Sequence, residues 1–145
     1  MNRTILLVED NPQDEMLILR SLKKANVGNR IDVARDGQQA LDYLFSWGQF
    51  AGAGEKTLPT VILLDIGLPR LSGLEVLQRI REDDRTRLVP VVILTSSDEE
   101  SDRLRSYESG ANSFVRKPVE FAAFAETVSR LGIYWVLTNE PPCLK

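Results

Sequence analysis

The sequence predicts a doubly wound α/β domain, a five-stranded parallel sheet with helices on both faces. Three observations carry this. Ile5–Val8, Val61–Leu64 and Val91–Leu94 are apolar without alternation, as strands buried on both faces require. Two weaker stretches, Ile31–Ala34 and Ser113–Val115, complete a set of five. Between them apolar residues recur at helical spacing, so strand and helix alternate five times along the chain.

Each element has local signals. Ile5–Val8 stops at Glu9-Asp10. Asn11-Pro12 then reads as an N-cap with proline in the first turn, and Asp14 complements the positive helix end. Ile18, Leu22 and Ala25 continue that helix to an expected stop at Gly28. Asp36-Gly37 opens a second helix carrying Ala40, Leu41, Leu44 and Phe45. Ser72 caps a third, with Leu74, Leu77 and Ile80 on one stripe. Ser97 or Asp98 caps a fourth that ends at Gly110, and Glu120 opens a fifth toward Thr138. The connection Ser46–Thr60, with Trp47, Phe50 and three glycines, exceeds the ~2–6 residues usual between a helix and a strand.

Composition bounds the function. With 145 residues the chain is one domain, expected to span 1–138 with an irregular tail over 139–145. The single Cys143 excludes an internal disulfide and a cysteine-cluster zinc site. The absence of histidine excludes histidine triads, histidine-ligated metals and a phosphohistidine role for this chain. A net charge of −3 argues against nucleic acid as direct partner. No apolar run approaches the ~20 residues of a membrane span, and none suits an export signal, so neither membrane nor export is expected and the cytoplasm is.

In sheets of this kind ligands bind outside the carboxyl ends of the strands. The residues there are Glu9 and Asp10, Asp65, Thr95 and Lys117. Two unit charges ~4 Å apart repel by about 4 kcal/mol at an effective dielectric of about 20, so three clustered carboxylates carry on the order of 10 kcal/mol of repulsion. Such a cluster takes up a proton or recruits a cation. Oxygen donors select a hard ion, Mg²⁺ first, with Mn²⁺ or Ca²⁺ as alternatives. A carboxylate nucleophile, a divalent cation, a lysine and a hydroxyl together suit phosphoryl transfer, with Asp65 as covalent acceptor. Capping and structural ion pairs would account for any one of these acids, but not for the whole set.

The motifs Glu9-Asp10-Asn11, Asp65-Ile66-Gly67-Leu68-Pro69-Arg70-Leu71-Ser72-Gly73, Val91-Val92-Ile93-Leu94-Thr95 and Phe114-Val115-Arg116-Lys117-Pro118 resemble the receiver domain of two-component response regulators over about residues 3–137. The long loop and the ending Trp135…Asn139-Glu140-Pro141-Pro142 also resemble stand-alone regulators that partner phytochromes. The resemblance implies a flavodoxin-like sheet of order 2-1-3-4-5. It also implies that Asp65 accepts a phosphoryl group from a sensor histidine kinase. Asp10, Asp65 and the Gly67 backbone carbonyl would bind Mg²⁺, supported by Glu9; Lys117 would contact the phosphoryl oxygens; Thr95 would move toward them and Phe114 would turn inward. The Lys117–Pro118 peptide would be cis, although the sequence alone favours trans. Phe114 stands where tyrosine is commoner, so its rotamers differ by packing alone. Gly67, two residues after the acceptor, offers no side chain to a water attacking the phosphoryl group.

The fifth helix carries Phe121, Phe124, Val128, Leu131 and Trp135 at spacings of a core-facing stripe, and Ile133, Tyr134, Val136 and Leu137 make its last turns apolar nearly all round. A homodimer or partner surface through Phe121, Phe124, Val128, Leu131, Tyr134 and Trp135 is expected. The fourth helix has only Leu104 and Tyr107 as large apolar residues; a readily shifted element and an ordinary solvated helix both fit. The expected role is a signalling switch acting on a protein partner or its own dimer, with onward phosphorelay as the alternative. A small flavodoxin-like enzyme fits less well. Two acids occupy the first strand end where a mononucleotide site needs an anion-welcoming turn, and the chain has no Gly-x-x-x-x-Gly-Lys-Ser/Thr loop.

Overall fold

A computed structural model describes residues 4–45 and 58–142. The connection 46–57, with Trp47 and Phe50, and Cys143 lie outside the described residues. The element order is β1 (Ile5–Val8), α1 (Pro12–Lys24), β2 (Ile31–Ala34), α2 (Gly37–Phe45), β3 (Val61–Leu64), α3 (Gly73–Glu82), β4 (Val91–Thr95), α4 (Glu100–Glu108), β5 (Ser113–Arg116), α5 (Phe121–Gly132) and a π-helical extension, Ile133–Thr138. All strand pairs are parallel in the order β2-β1-β3-β4-β5, so the expected flavodoxin-like sheet is observed.

The unbroken apolar strands follow from this layering. Successive side chains of a strand point to opposite faces. Leu6, Val8, Ile62, Leu64 and Ile93 enter a core under α2 and α3, while Ile5, Leu7, Val61, Leu63 and Val92 enter one under α1 and α5. α4 is attached differently: it buries only Ser106, and Leu104 and Tyr107 are exposed.

Several ends differ from expectation. α1 stops at Lys24, and the left-handed turn residue is Asn26 (φ 62°) rather than Gly28, because asparagine tolerates that conformation. Neither Ser97 nor Asp98 caps α4. Glu99 holds the N-cap position without a side-chain capping bond, and Ser97 Oγ instead accepts from Glu99 N (3.3 Å) and donates to Asp102 Oδ2 (2.6 Å). The described residues contain no cis peptide bond, so Lys117–Pro118 is trans, which corrects the expectation from family resemblance; trans is the intrinsic preference by about 0.5–1 kcal/mol.

The last turns widen to π geometry, where Asn139 N donates to Tyr134 O (2.6 Å). Val136 is drawn into the core while Ile133, Tyr134 and Leu137 face solvent. Two residues expected at the partner surface, Phe124 and Val128, are instead core residues, 5% and 0% exposed, because the stripe they belong to packs on α1 and the sheet. Leu131 and Trp135 are half-buried, leaving Phe121 and Tyr134 as the exposed members of that set.

At the sheet end opposite the acids, the half-buried Arg81 guanidinium ties α3 to two loops. It donates to Gly110 O (2.9 Å), Arg87 O (2.9 Å), Val89 O (2.8 Å) and Asn112 Oδ1 (2.8 Å). Asn112 Oδ1 also accepts from Val91 N at the start of β4 (2.8 Å). Arg81→Met keeps the stem but strands these acceptors. It should lower unfolding free energy by about 2–4 kcal/mol in urea melts, with an unchanged denaturant slope.

Candidate functional site

The sheet register brings the expected residues together. Val8 pairs with Leu64 and Thr95 with Arg116, so the residues just after β1, β3 and β5 reach one level. Backbone bonds extend the ladder into the site: Glu9 N donates to Ala34 O (3.0 Å), Asp65 N to Val8 O (3.1 Å) and Lys117 N to Thr95 O (2.7 Å). The carboxylates of Glu9, Asp10 and Asp65 each offer an oxygen within 4.8 Å of the others. Glu9 and Asp65 are buried; Asp10 is exposed at the rim.

Lys117, itself buried, reaches into this cluster from β5. Its Nζ donates to Glu9 Oε1, to Asp14 Oδ2 at 2.9 Å and to Asp65 Oδ2 at 3.0 Å. An ammonium has three N–H donors, and each meets a different carboxylate. The other Asp65 oxygen accepts from Gly67 N (2.9 Å), and Glu9 Oε2 accepts from Asn11 N (3.2 Å). Asn11 also caps α1, accepting from Gln13 N (2.9 Å) and Asp14 N (3.1 Å), which fixes Asp14 in the first turn beside Lys117.

The electrostatics remain unbalanced. Four carboxylates, Glu9, Asp10, Asp14 and Asp65, face one ammonium. Burial raises the Glu9 carboxyl to about 7; the hydrogen bond from Lys117 opposes this and the charge of Asp65 adds to it. Burial disfavours the Lys117 charge, but Asp65, Glu9 and Asp14 together hold its pKa above the ordinary lysine value, so it stays an ammonium. An all-oxygen, negatively charged donor set of this span fits a hard divalent cation.

Thr95 is buried at the end of β4, and its Oγ1 accepts from Ser97 N (3.3 Å). It lines a cleft of about 470 Å³ with Ile66, Gly67, Ser72 and the start of α4. Pairing of Ile93 with Phe114 and of Thr95 with Arg116 puts Thr95 and Phe114 on the same sheet face. Phe114 is half-buried against the α2/α3 core, with the Arg103 guanidinium 5.8 Å from its ring centroid.

Two features escape a sequence reading. Asp14 reads there only as a complement to the helix dipole; its spacing of four from Asp10, one turn into a capped helix, is the signal that it returns to the strand end. Gly73 sits so close to the acceptor strand that a Cβ would lie 2.2 Å from Asp65 O and 2.5 Å from Ile66 Cα. Only glycine lets α3 start against the peptide that carries Asp65.

The folded state raises Glu9 from 4.5 to about 7, so without metal it binds more protons than the unfolded chain between those values. Glu9 therefore contributes stability that is complete below pH 4.5 and is lost as pH rises through about 7, on the order of 3 kcal/mol. Melting temperature in chelator should fall from pH 5 toward pH 8, and saturating Mg²⁺ should flatten that slope.

Comparison with known proteins agrees with this geometry. Residues 5–129 match the family model for the response regulator receiver domain. The bacteriophytochrome response regulator AtBRR is 51% identical, with 97% of this chain and 99% of that one covered and a TM-score of 0.75. The phosphorylated cyanobacterial phytochrome response regulator RcpA is 34% identical over 98% of this chain and 99% of that one, with a TM-score of 0.90. The Mn²⁺-bound form of Rcp1, a response regulator of Synechocystis, is 32% identical over 97% and 99%, with a TM-score of 0.89. With strand-end acids, lysine and threonine in one place and a family match over most of its length, the chain belongs to the response regulator receiver family.

Proposed function

We propose that this chain is a phosphorylation-controlled response regulator in which Asp65 accepts a phosphoryl group from a phosphohistidine of a sensor kinase. The observation that carries the reading is the convergence of Glu9, Asp10 and Asp65 around the Lys117 ammonium. An Asp65 carboxylate oxygen attacks phosphorus. The new P–O bond forms as the donor P–N bond breaks, and the imidazole leaves with the electron pair. Lys117 stays beside Asp65 and neutralises charge on the transferred oxygens; the Gly67 N–H holds the other Asp65 oxygen and so orients the attacking lone pair. A divalent cation held by Glu9, Asp10, Asp65 and the Gly67 carbonyl would screen the negative charges of donor and acceptor, and Mg²⁺ is the expected ion. RcpA, whose structure is of the phosphorylated form, and Rcp1, with bound Mn²⁺, support the assignment by likeness.

Thr95 and Phe114 are the switch pair. Thr95 lines a cleft with Gly67, two residues after the acceptor, and the adjoining α4 is the least buried of the described helices, so its displacement costs little. The relatives named for phytochromes support a phytochrome kinase as donor. Output passes through protein contact: Phe121, Ile133, Tyr134 and Leu137 are exposed apolar side chains on α5 and its extension, and we assign them to a homodimer or partner surface. Leu131 and Trp135 lie at its buried edge. The described helices include none long and apolar enough to cross a membrane.

Incubation with acetyl phosphate and Mg²⁺ should add one base-labile phosphoryl group per chain by mass spectrometry. Asp65→Asn should abolish it, and labelling that persists there would move the acceptor elsewhere. Sedimentation of a Tyr134→Asp, Leu137→Asp variant should shift toward monomer; a profile identical to wild type would exclude that surface as the dimer interface.

A further inference from the structure

We propose that Asp14 is a positioning residue for phosphoryl transfer, the exchangeable partner of the Lys117 ammonium that lets go when a phosphoryl oxygen arrives. This rests on the reading of Asp65 as phosphoacceptor. Lys117 Nζ has three donors, and Glu9, Asp14 and Asp65 already occupy them. Transfer turns Asp65 Oδ2 into the bridging oxygen of the acyl phosphate, so its bond to Lys117 passes to a phosphoryl oxygen, and a second phosphoryl oxygen then competes with Glu9 and Asp14 for the remaining donors.

The three partners differ in what release costs. The Glu9 side chain is 1% exposed, and losing Lys117 would leave a charge buried and unpaired. Asp65 Oδ2 gives its place to the phosphoryl group it carries, so the choice of a further partner to release lies between Glu9 and Asp14. Asp14 is 29% exposed in the first turn of α1, where water takes over its lone pairs at little cost. Asp14 therefore holds the ammonium in the resting site, shares its charge away from Asp65 so that the acceptor oxygen is not fully paired, and yields it to the phosphoryl group.

Because the Asp14 bond exists only before the phosphoryl group binds, it stabilises the resting state relative to the loaded one. Removing it should tighten binding of a phosphoryl mimic. The probe is fluoroberyllate with saturating Mg²⁺, titrated calorimetrically into the full chain. Asp14→Asn should bind roughly three- to tenfold more tightly than wild type, and Asp14→Glu should return toward the wild-type value. Glu15→Gln removes a charge from the same turn without touching Lys117, since Glu15 pairs with Arg35 through two 3.0 Å bonds; its affinity should match wild type.

Two NMR readouts separate positioning from mere structure. The Lys117 Nζ resonance of the metal-free chain should shift in Asp14→Asn and not in Glu15→Gln. In wild type the Asp14 carboxyl carbon should move when fluoroberyllate binds. Equal or weaker fluoroberyllate binding by Asp14→Asn overturns the assignment, and so does an Asp14 carboxyl carbon that stays put in wild type, a readout that needs no variant to fold. If wild type takes neither fluoroberyllate nor acetyl phosphate label, the phosphoacceptor reading itself fails and this falls with it.

Discussion

A buried ammonium shared among carboxylates is the constraint around which this molecule is arranged. Glu9 and Asp65 are removed from water at the ends of adjacent strands, where like charges repel strongly, and among the described residues Lys117 is the one cation that pairs with both. It does not answer them fully. Asp10 at the rim and Asp14 on α1 bring the acids to four, so the resting site keeps an excess of negative charge. That excess makes the site a sink for a divalent cation, while burial, with the Asp65 charge adding to it, keeps the Glu9 carboxyl close to protonation near neutral pH. The same imbalance suits a reaction in which an anionic acceptor must approach an anionic donor once a cation is present.

The fold holds this arrangement by making the surrounding backbone rigid. Glu9, Asp65 and Lys117 each stand one position beyond a strand, β1 and β3 being buried throughout, and their backbone hydrogen bonds continue the sheet into the site. Gly73 lets α3 press on the peptide after β3, and Asn11 fixes the start of α1. The side reached through Thr95 is built differently. α4 buries a single serine, its N-cap makes no side-chain bond, and its large apolar residues face solvent. A rigid acidic centre beside a lightly held helix is a structure in which a local chemical change can be converted into a surface change.

Much of this was legible in the sequence, for identifiable reasons. Unbroken branched apolar runs can be satisfied only between two helical layers, so the sheet and its strands follow from them. Glu9, Asp10 and Asp65 lie directly after those runs and Lys117 after the weaker fifth stretch, so their convergence follows from the parallel topology. The helix ends were less legible. Asn26 takes the left-handed turn ahead of the stop expected at Gly28, and Ser97 spends its hydroxyl on Asp102 instead of capping α4. The stripe on α5 was readable as a stripe but not as a surface: spacing cannot tell a face buried on the sheet from one left for a partner, and Phe124 and Val128 fall on the buried side. Asp14 was hidden because its role depends on the angle at which α1 leaves β1, and Arg81 because three of its four acceptors are backbone carbonyls, which leave no trace in side-chain patterns.

The convergent acidic centre is tested most directly by calorimetric titration of the metal-free chain with Mg²⁺ at neutral pH. One binding event per chain is expected, weakened roughly tenfold or more by Asp10→Asn, which removes a rim carboxylate without opening the core. Absence of any binding, or an Asp10→Asn titration superimposable on wild type, would contradict a metal centre built from these strand-end acids.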